Sequence, residues 1–116
     1  MSTELYYFSG TGNSLHVARE LQKRIPRAKL IPIISLVNEE TVTTNGKTIG
    51  FMFPHYASTL PKIVYTFIEK LNLESAQYLF AIATRGGTET MAFIEIDKIL
   101  KKKGEKTGFF FRNYHA

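Results

Sequence analysis

Phe8-Ser9-Gly10-Thr11-Gly12-Asn13-Ser14 is the stretch that decides how this chain is read. The apolar run Leu5 to Phe8 leads into it, and Leu15, Ala18, Leu21 and Ile25 follow at helical spacing. A buried strand therefore breaks into a short hydroxyl- and glycine-rich loop whose far end starts a helix. The loop offers backbone N–H groups, the hydroxyls of Ser9, Thr11 and Ser14, the Asn13 amide and the positive end of a helix dipole. All of these suit a phosphate. Gly10 and Gly12 let the backbone curl around its oxygens. Lysine is absent, so the loop departs from G-x-x-x-x-G-K-[ST], and its glycines do not fit G-x-G-x-x-G. A phosphate held by hydroxyls and amides alone points to a monophosphate ester, bound tightly and left unreacted. The competing reading is a glycine-rich turn with a helix cap and no ligand. A cap needs one hydroxyl, and this loop supplies three.

Working outward, apolar runs alternate with helical patterns, which predicts an α/β chain with a parallel sheet and crossover helices. The first strand is Leu5–Phe8 and the first helix runs from Asn13 to about Arg24, where Pro26 stops it. The second strand is Leu30–Ile33. Pro32 within it confines that strand to a sheet edge, because proline cannot donate to a central ladder. Residues 34–47 are rich in Thr, Asn and Glu and weak in periodicity, so at most a short turn is expected. Thr48–Phe53 is continuous and apolar, as a buried central strand should be. Thr59 caps, and Pro61 begins, a helix that turns Ile63, Val64, Phe67 and Leu71 inward. Tyr78–Ala83 is the fourth strand. Thr88 caps a helix with Ala92, Ile96, Ile99 and Leu100 on one face, Gly104 ends it, and Gly108–Phe111 starts a fifth strand.

The first loop resembles the FMN phosphate loop of flavodoxins. Two later segments extend the likeness: Gly50-Phe51-Met52-Phe53-Pro54-His55-Tyr56 with Leu60-Pro61, and Ala83-Thr84-Arg85-Gly86-Gly87-Thr88. They are similar to the two flavin-ring loops in the flavodoxin-like domain of the EFR1 family of ferrodoxins, where that domain precedes an iron–sulfur domain. The resemblance covers essentially the whole chain. It implies a flavodoxin-like three-layer sandwich with a parallel sheet in order 2-1-3-4-5, FMN as cofactor and electron transfer as the task. That order puts the second strand at an edge, where Pro32 puts it independently. A full domain of this kind places another helix over the last strands. The expectation for residues 1–116 is therefore a single FMN-binding domain, C-terminally incomplete, with the last helix missing. Self-association through the uncovered C-terminal strand is the other way to cover Phe109, Phe110 or Phe111.

Composition narrows the field. The chain has 116 residues and no cysteine, which excludes disulfides, cysteine nucleophiles and Fe–S ligation within it. No apolar run has bilayer length and no basic-then-apolar signal pattern opens the sequence, so no membrane partner and a cytoplasmic location are expected. The formal net charge is +5, with clusters at Lys23, Arg24, Arg27, Lys29 and at Lys98, Lys101, Lys102, Lys103. Nucleic acid is the first thought for such a balance. Both clusters fall at predicted helix C-termini, where cations meet the dipole favourably, so no nucleic-acid partner is expected. Many flavodoxins are acidic. The basic balance departs from them and suits an acidic redox partner, such as a ferredoxin or a reductase.

In a doubly wound sheet, ligands bind beyond the C-terminal strand ends where the strand order reverses. All three segments leave such ends. Ser9, Thr11, Asn13 and Ser14 are the side-chain donors expected at the phosphate, with Gly10 and Gly12 shaping the backbone. The resemblance implies that Pro54, His55, Tyr56, Ala57 and Ser58 hold the ring, with Tyr56 stacking and the backbone of Ala57 and Ser58 near flavin N5. Thr84, Arg85, Gly86 and Gly87 are implied to pass the pyrimidine edge. An ordinary tyrosine at 56, and a solvated histidine at 55 or arginine at 85, are the plain alternatives. A cation beside the ring is worth on the order of 2–4 kcal/mol at an effective dielectric near 20, so Arg85 is expected to favour an anionic reduced flavin. His16, His55 and His115 are scattered, and no metal or hydrolytic pattern is legible. An NAD(P)H-dependent FMN or quinone reductase and a flavin-free scaffold of the same shape are the alternative functions.

Overall fold

The computed structural model describes residues 2–8, 13–54, 61–84, 90–103 and 109–114, with the backbone alone at 13–14, 84, 90–93 and 109–114. Its strands are β1 (Thr3–Tyr7), β2 (Ala28–Pro32), β3 (Val42–Thr43), β4 (Thr48–Pro54), β5 (Leu71–Asn72), β6 (Tyr78–Thr84) and β7 (Phe109–Tyr114). The helices are α1 (Asn13–Arg24), α2 (Lys62–Glu69) and α3 (Thr90–Lys102), and a 3-10 turn spans Ile33–Leu36. Five strands form one parallel sheet in the order β2-β1-β4-β6-β7. Counting only these strands along the chain, the order is 2-1-3-4-5, as expected. β2 is an edge strand, and Pro32 is its last residue, opposite Tyr7.

Period-two alternation sends side chains to two cores. Leu5, Met52 and Ile82 pack with Val17 and Ala18 of α1 on one face. Tyr6, Ile49, Phe51, Phe53, Leu79, Ala81 and Ala83 pack with α2 and α3 on the other, where Val64, Phe67, Ile68, Ile96, Ile99 and Leu100 are buried. Because β4 is covered on both faces, Ile49 to Phe53 are all buried, which explains its unbroken apolar run. Each large side chain so buried contributes about 1.5–3 kcal/mol. Gly50 lies between Leu5 and Phe80 in register, and a Cβ there would sit 2.3 Å from the tip of the Phe80 ring. The glycine makes room for that ring.

Two expectations are corrected. Leu71 does not extend α2: the helix ends at Glu69, and Leu71 pairs with Val42 in a separate two-stranded parallel ribbon of β3 and β5. The Lys70 carbonyl accepts from Val42 N–H at 2.9 Å, so its last turn feeds this ribbon rather than another helical turn. Pro61 is the residue before the helix, with ψ 137°, not its first turn; its carbonyl accepts from the N–H groups of Val64 and Tyr65. Thr59, Thr88 and Gly104, expected to bound the helices, lie outside the described residues. The fifth strand expected to start within Gly108–Phe111 does so, running over Phe109–Tyr114.

The N-terminal edge of the sheet is fastened by a buried acid. Glu4 Oε1 accepts from the N–H groups of Asn45 and Gly46 at 3.0 and 3.1 Å and from the Tyr6 hydroxyl at 3.1 Å. Burial, then the Glu4 charge and its hydrogen bond, raise the Tyr6 hydroxyl well above the usual tyrosine range. Beside it, Ser75 Oγ lies 3.1 and 2.9 Å from the carbonyl oxygens of Thr44 and Gly46, which holds the turn that enters β4.

Candidate functional site

Crossover direction sets the candidate site. From β1 the chain crosses through α1 to β2 on one side, and from β4 it crosses through α2 to β6 on the other. The reversal therefore lies between β1 and β4, where a ligand crevice opens at the C-terminal strand ends. Phe8 N–H donates to the Met52 carbonyl at 2.9 Å, so pairing continues past the end of β1 to the edge itself. Tyr7 stands opposite Met52, and Pro54 opposite Thr84. Neighbouring strands are about 4.8 Å apart, so the ends of β1, β4 and β6 form one short row.

Four of the residues expected at the site fall within the described residues. Asn13 and Ser14 are the first two residues of α1. Pro54 is the buried last residue of β4, and Thr84 is the last residue of β6. Ser9, Gly10, Thr11, Gly12, His55, Tyr56, Ala57, Ser58, Arg85, Gly86 and Gly87 lie outside the described residues. Their flanking residues bring the three segments out of the same edge: Phe8 before 9–12, Pro54 before 55–60 and Thr84 before 85–89.

Electrostatics along the helices is polarised. α1, α2 and α3 all start at this edge, and none carries an acidic residue in its first turn. At the start of α1, where Gly12 precedes Asn13, no acid is near in sequence and the positive dipole end favours an anion, whereas Glu89 directly precedes α3. Cations gather at the opposite edge, with Lys23 and Arg24 in the last turn of α1 and Lys101 and Lys102 in that of α3. Lys101 pairs with Asp97 at 2.9 Å, a solvated i,i+4 bridge. These four cations take the helix-end position expected of the basic clusters, whereas Arg27 lies in the turn after α1, Lys29 in β2 and Lys98 inside α3.

Among the described residues no group of three or more His, Asp or Glu is arranged to hold a metal, and no helix is long and apolar enough to cross a membrane. A groove of about 500 Å³ between α2 and α3 is lined by Glu69, Glu95, Lys98 and Lys102. It mixes both charge signs away from the strand-end row, so it lacks the chemistry of a phosphate site. Sequence reasoning missed the Glu4–Tyr6 anchor. The available signal was an acid on the same strand face as Tyr6 and Phe8, inside an apolar run.

No family model and no curated protein matches the chain. Solved structures do match. A proposed flavoprotein from Bacteroides uniformis ATCC 8492 superposes with a TM-score of 0.76 at 15% identity, over 99% of this chain and 90% of that one. Another, from Bacteroides eggerthii DSM 20697, gives 0.70 at 19% identity over 97% and 87%. A flavoprotein in complex with FMN from Lactobacillus acidophilus NCFM gives 0.72 at 11% identity over 96% and 92%. At such identities the likeness is one of fold. Sheet order, crossover helices on both faces and these superpositions agree: this chain has the flavodoxin-like fold.

Proposed function

We propose that the chain binds FMN at the C-terminal edge of β1, β4 and β6 and serves as an electron carrier. The observation that supports this reading is that β1, β4 and β6, the strands that precede the three motif segments, lie side by side at the reversal of strand order. The fit of the residues supports it. A hydroxyl-rich segment runs into the acid-free first turn of α1, which suits the phosphate of FMN. In this reading Ser9, Thr11, Asn13 and Ser14 grip the phosphate and Gly10 and Gly12 admit it. Pro54, His55, Tyr56, Ala57 and Ser58 hold one side of the ring; Thr84, Arg85, Gly86 and Gly87 pass its pyrimidine edge. When bound, FMN supplies the electron chemistry, and the chain binds, orients and tunes it. Within flavodoxin-like proteins the three segments make the chain a relative of the flavodoxin-like part of the EFR1 family. The FMN of the Lactobacillus acidophilus structure supports the choice of cofactor.

Titration with FMN and with riboflavin, followed by quenching of flavin fluorescence, tests the reading. Saturable FMN binding is expected, with riboflavin weaker because it lacks the phosphate. Thr11→Val removes a charge-assisted hydrogen bond worth about 1.5–3 kcal/mol, so FMN affinity should fall roughly 10- to 100-fold. Equal binding of FMN and riboflavin would remove the phosphate grip. Binding of neither would leave the flavin-free scaffold.

A further inference from the structure

Between the 3-10 turn and α2 lies an open groove of about 490 Å³ with a largely apolar lining. Ile34 is 64% exposed and Val37 40% exposed on one wall, while Ile63 and Phe67 of α2 form the other. The only charged residues lining it are Lys62 and Lys70, both cations. Lys70 Nζ donates to the carbonyl oxygens of Val37 and Glu39 at 2.9 and 2.8 Å, which fastens the exposed wall to the helix. Neutral carbonyls leave its charge uncompensated. Among the described residues neither lysine has a carboxylate partner. The groove is thus held open by its own hydrogen bonds, apolar within and of one charge sign at its rim.

Its place in the fold adds a second reason to regard it as a docking surface. Ile34 is the second residue after the C-terminal end of β2, and Lys62 opens α2. One end of the groove therefore adjoins the strand-end row, and the other follows α2 down towards Lys70. We propose that this groove docks a partner protein through an apolar side chain flanked by carboxylates. The apolar side chain covers Ile34 and Val37, and the carboxylates meet Lys62 and Lys70. Charge complementarity selects such a partner: a chain of net charge +5 presents here aliphatic surface with cations and no acid. Nucleic acid would ask for more cations and for exposed aromatic faces. The role of this surface in electron transfer rests on the FMN reading; the docking itself does not.

Panning a random peptide library against the full chain tests the proposal. Enriched peptides should combine apolar residues with Asp or Glu, and a synthesised representative should shift the amide resonances of residues 34–37 and 62–70. Ile34→Ser, a change at an exposed position, should weaken that peptide about tenfold. Lys62→Glu should weaken it roughly three- to tenfold and flatten its salt dependence. Ile94→Ser, the same change at a 40% exposed residue of α3, should leave binding unchanged. Absence of enrichment, enrichment of basic or uncharged peptides, or shifts that map elsewhere would overturn the proposal. So would concentration-dependent shifts of the groove without peptide, which would assign it to a second copy of the chain. Peptide binding here by protein that takes up no FMN would support the docking surface and overturn only the flavin reading.

Discussion

Replacing Gly50 with alanine isolates the packing that joins the two strands at the centre of the sheet. The Cβ would meet Phe80 Cζ at 2.3 Å and both Cε atoms at 2.7 Å, against a comfortable carbon contact of about 3.5–4.0 Å. The ring must therefore retreat by more than about 1 Å. Phe80 is half-buried, so it has somewhere to go, but leaving means giving up contact with the cluster of Leu5, Val17 and Met52. Such overpacking costs about 1–3 kcal/mol. Alanine also narrows the unfolded ensemble, which returns about 0.4–1 kcal/mol. The net expectation is a loss of about 1–2 kcal/mol, read as a lower midpoint in urea with an unchanged m-value. The flavin-free protein should be used, so that cofactor binding adds nothing to the measured stability.

The control is the same substitution in a Phe80→Ala background. With the ring gone, Gly50→Ala should be neutral, or stabilising by up to about 1 kcal/mol, giving a coupling energy of about 1–3 kcal/mol between neighbours. Two results would refute the reasoning. Gly50→Ala within about 0.5 kcal/mol of wild type would mean that the ring moves freely. Equal costs in both backgrounds would mean that the glycine serves the backbone and not the ring.

Further expectations follow from the N-terminal edge and from the charges. Glu4→Leu leaves the Gly46 and Asn45 N–H groups without their acceptor and should cost about 2–4 kcal/mol in urea denaturation, whereas Glu4→Gln, which keeps a carbonyl acceptor, should cost roughly half as much or less. The Tyr6 hydroxyl is raised by burial and by Glu4, so its contribution is complete below the unfolded tyrosine value of about 10 and is lost as pH rises above it, by up to about 1.4 kcal/mol per pH unit; Tyr6→Phe should abolish this part of the alkaline slope. Arg27 holds a left-handed φ of 63°, so Arg27→Gly should raise stability by up to about 1 kcal/mol, measurable as a higher midpoint. If the chain binds FMN as proposed, Arg85→Ala should make its reduction potential more negative by roughly 90–170 mV, at about 60 mV for each 1.4 kcal/mol in a one-electron step. Lys101→Gln with Lys102→Gln should move it far less, and redox titration compares the two.

Much of the sheet was legible because its rules are local. Pro32 marks an edge, and the unbroken Ile49–Phe53 run marks a centre. What stayed hidden depends on partners distant in sequence. The β3–β5 ribbon has two residues per strand, too few for any period to show, and Leu71 suits a helix face as well as a strand until Val42 claims it. Gly50 reads as a weak strand residue until Phe80 is brought beside it. Glu4 looks misplaced because its partners are backbone N–H groups at 45 and 46, which leave no trace in side-chain identity. At the candidate site, the adjacency of the strand ends was legible from strand order.

The charge distribution makes a basic chain compatible with the proposed flavin site. α1 has 12 residues and α3 has 13, so each is about 18–20 Å long. The cations in their last turns stand about that far from the strand-end row, two Debye lengths at physiological salt. Lys101 is in addition paired with Asp97. The net charge of +5 is therefore a weak guide to the potential at the site. What remains near the row is short-ranged: Lys62 at the start of α2, first turns without an acid, and the neutral donors of the first segment. Arg85 follows directly on Thr84, the last residue of β6, and is the one cation of the three proposed binding segments. In the proposed arrangement, a neutral phosphate grip with Arg85 beside the ring would separate two tasks that a uniformly basic pocket would merge: holding the cofactor and setting its potential. Substitutions at 9–14 should then act on affinity, and substitutions at 85 on potential.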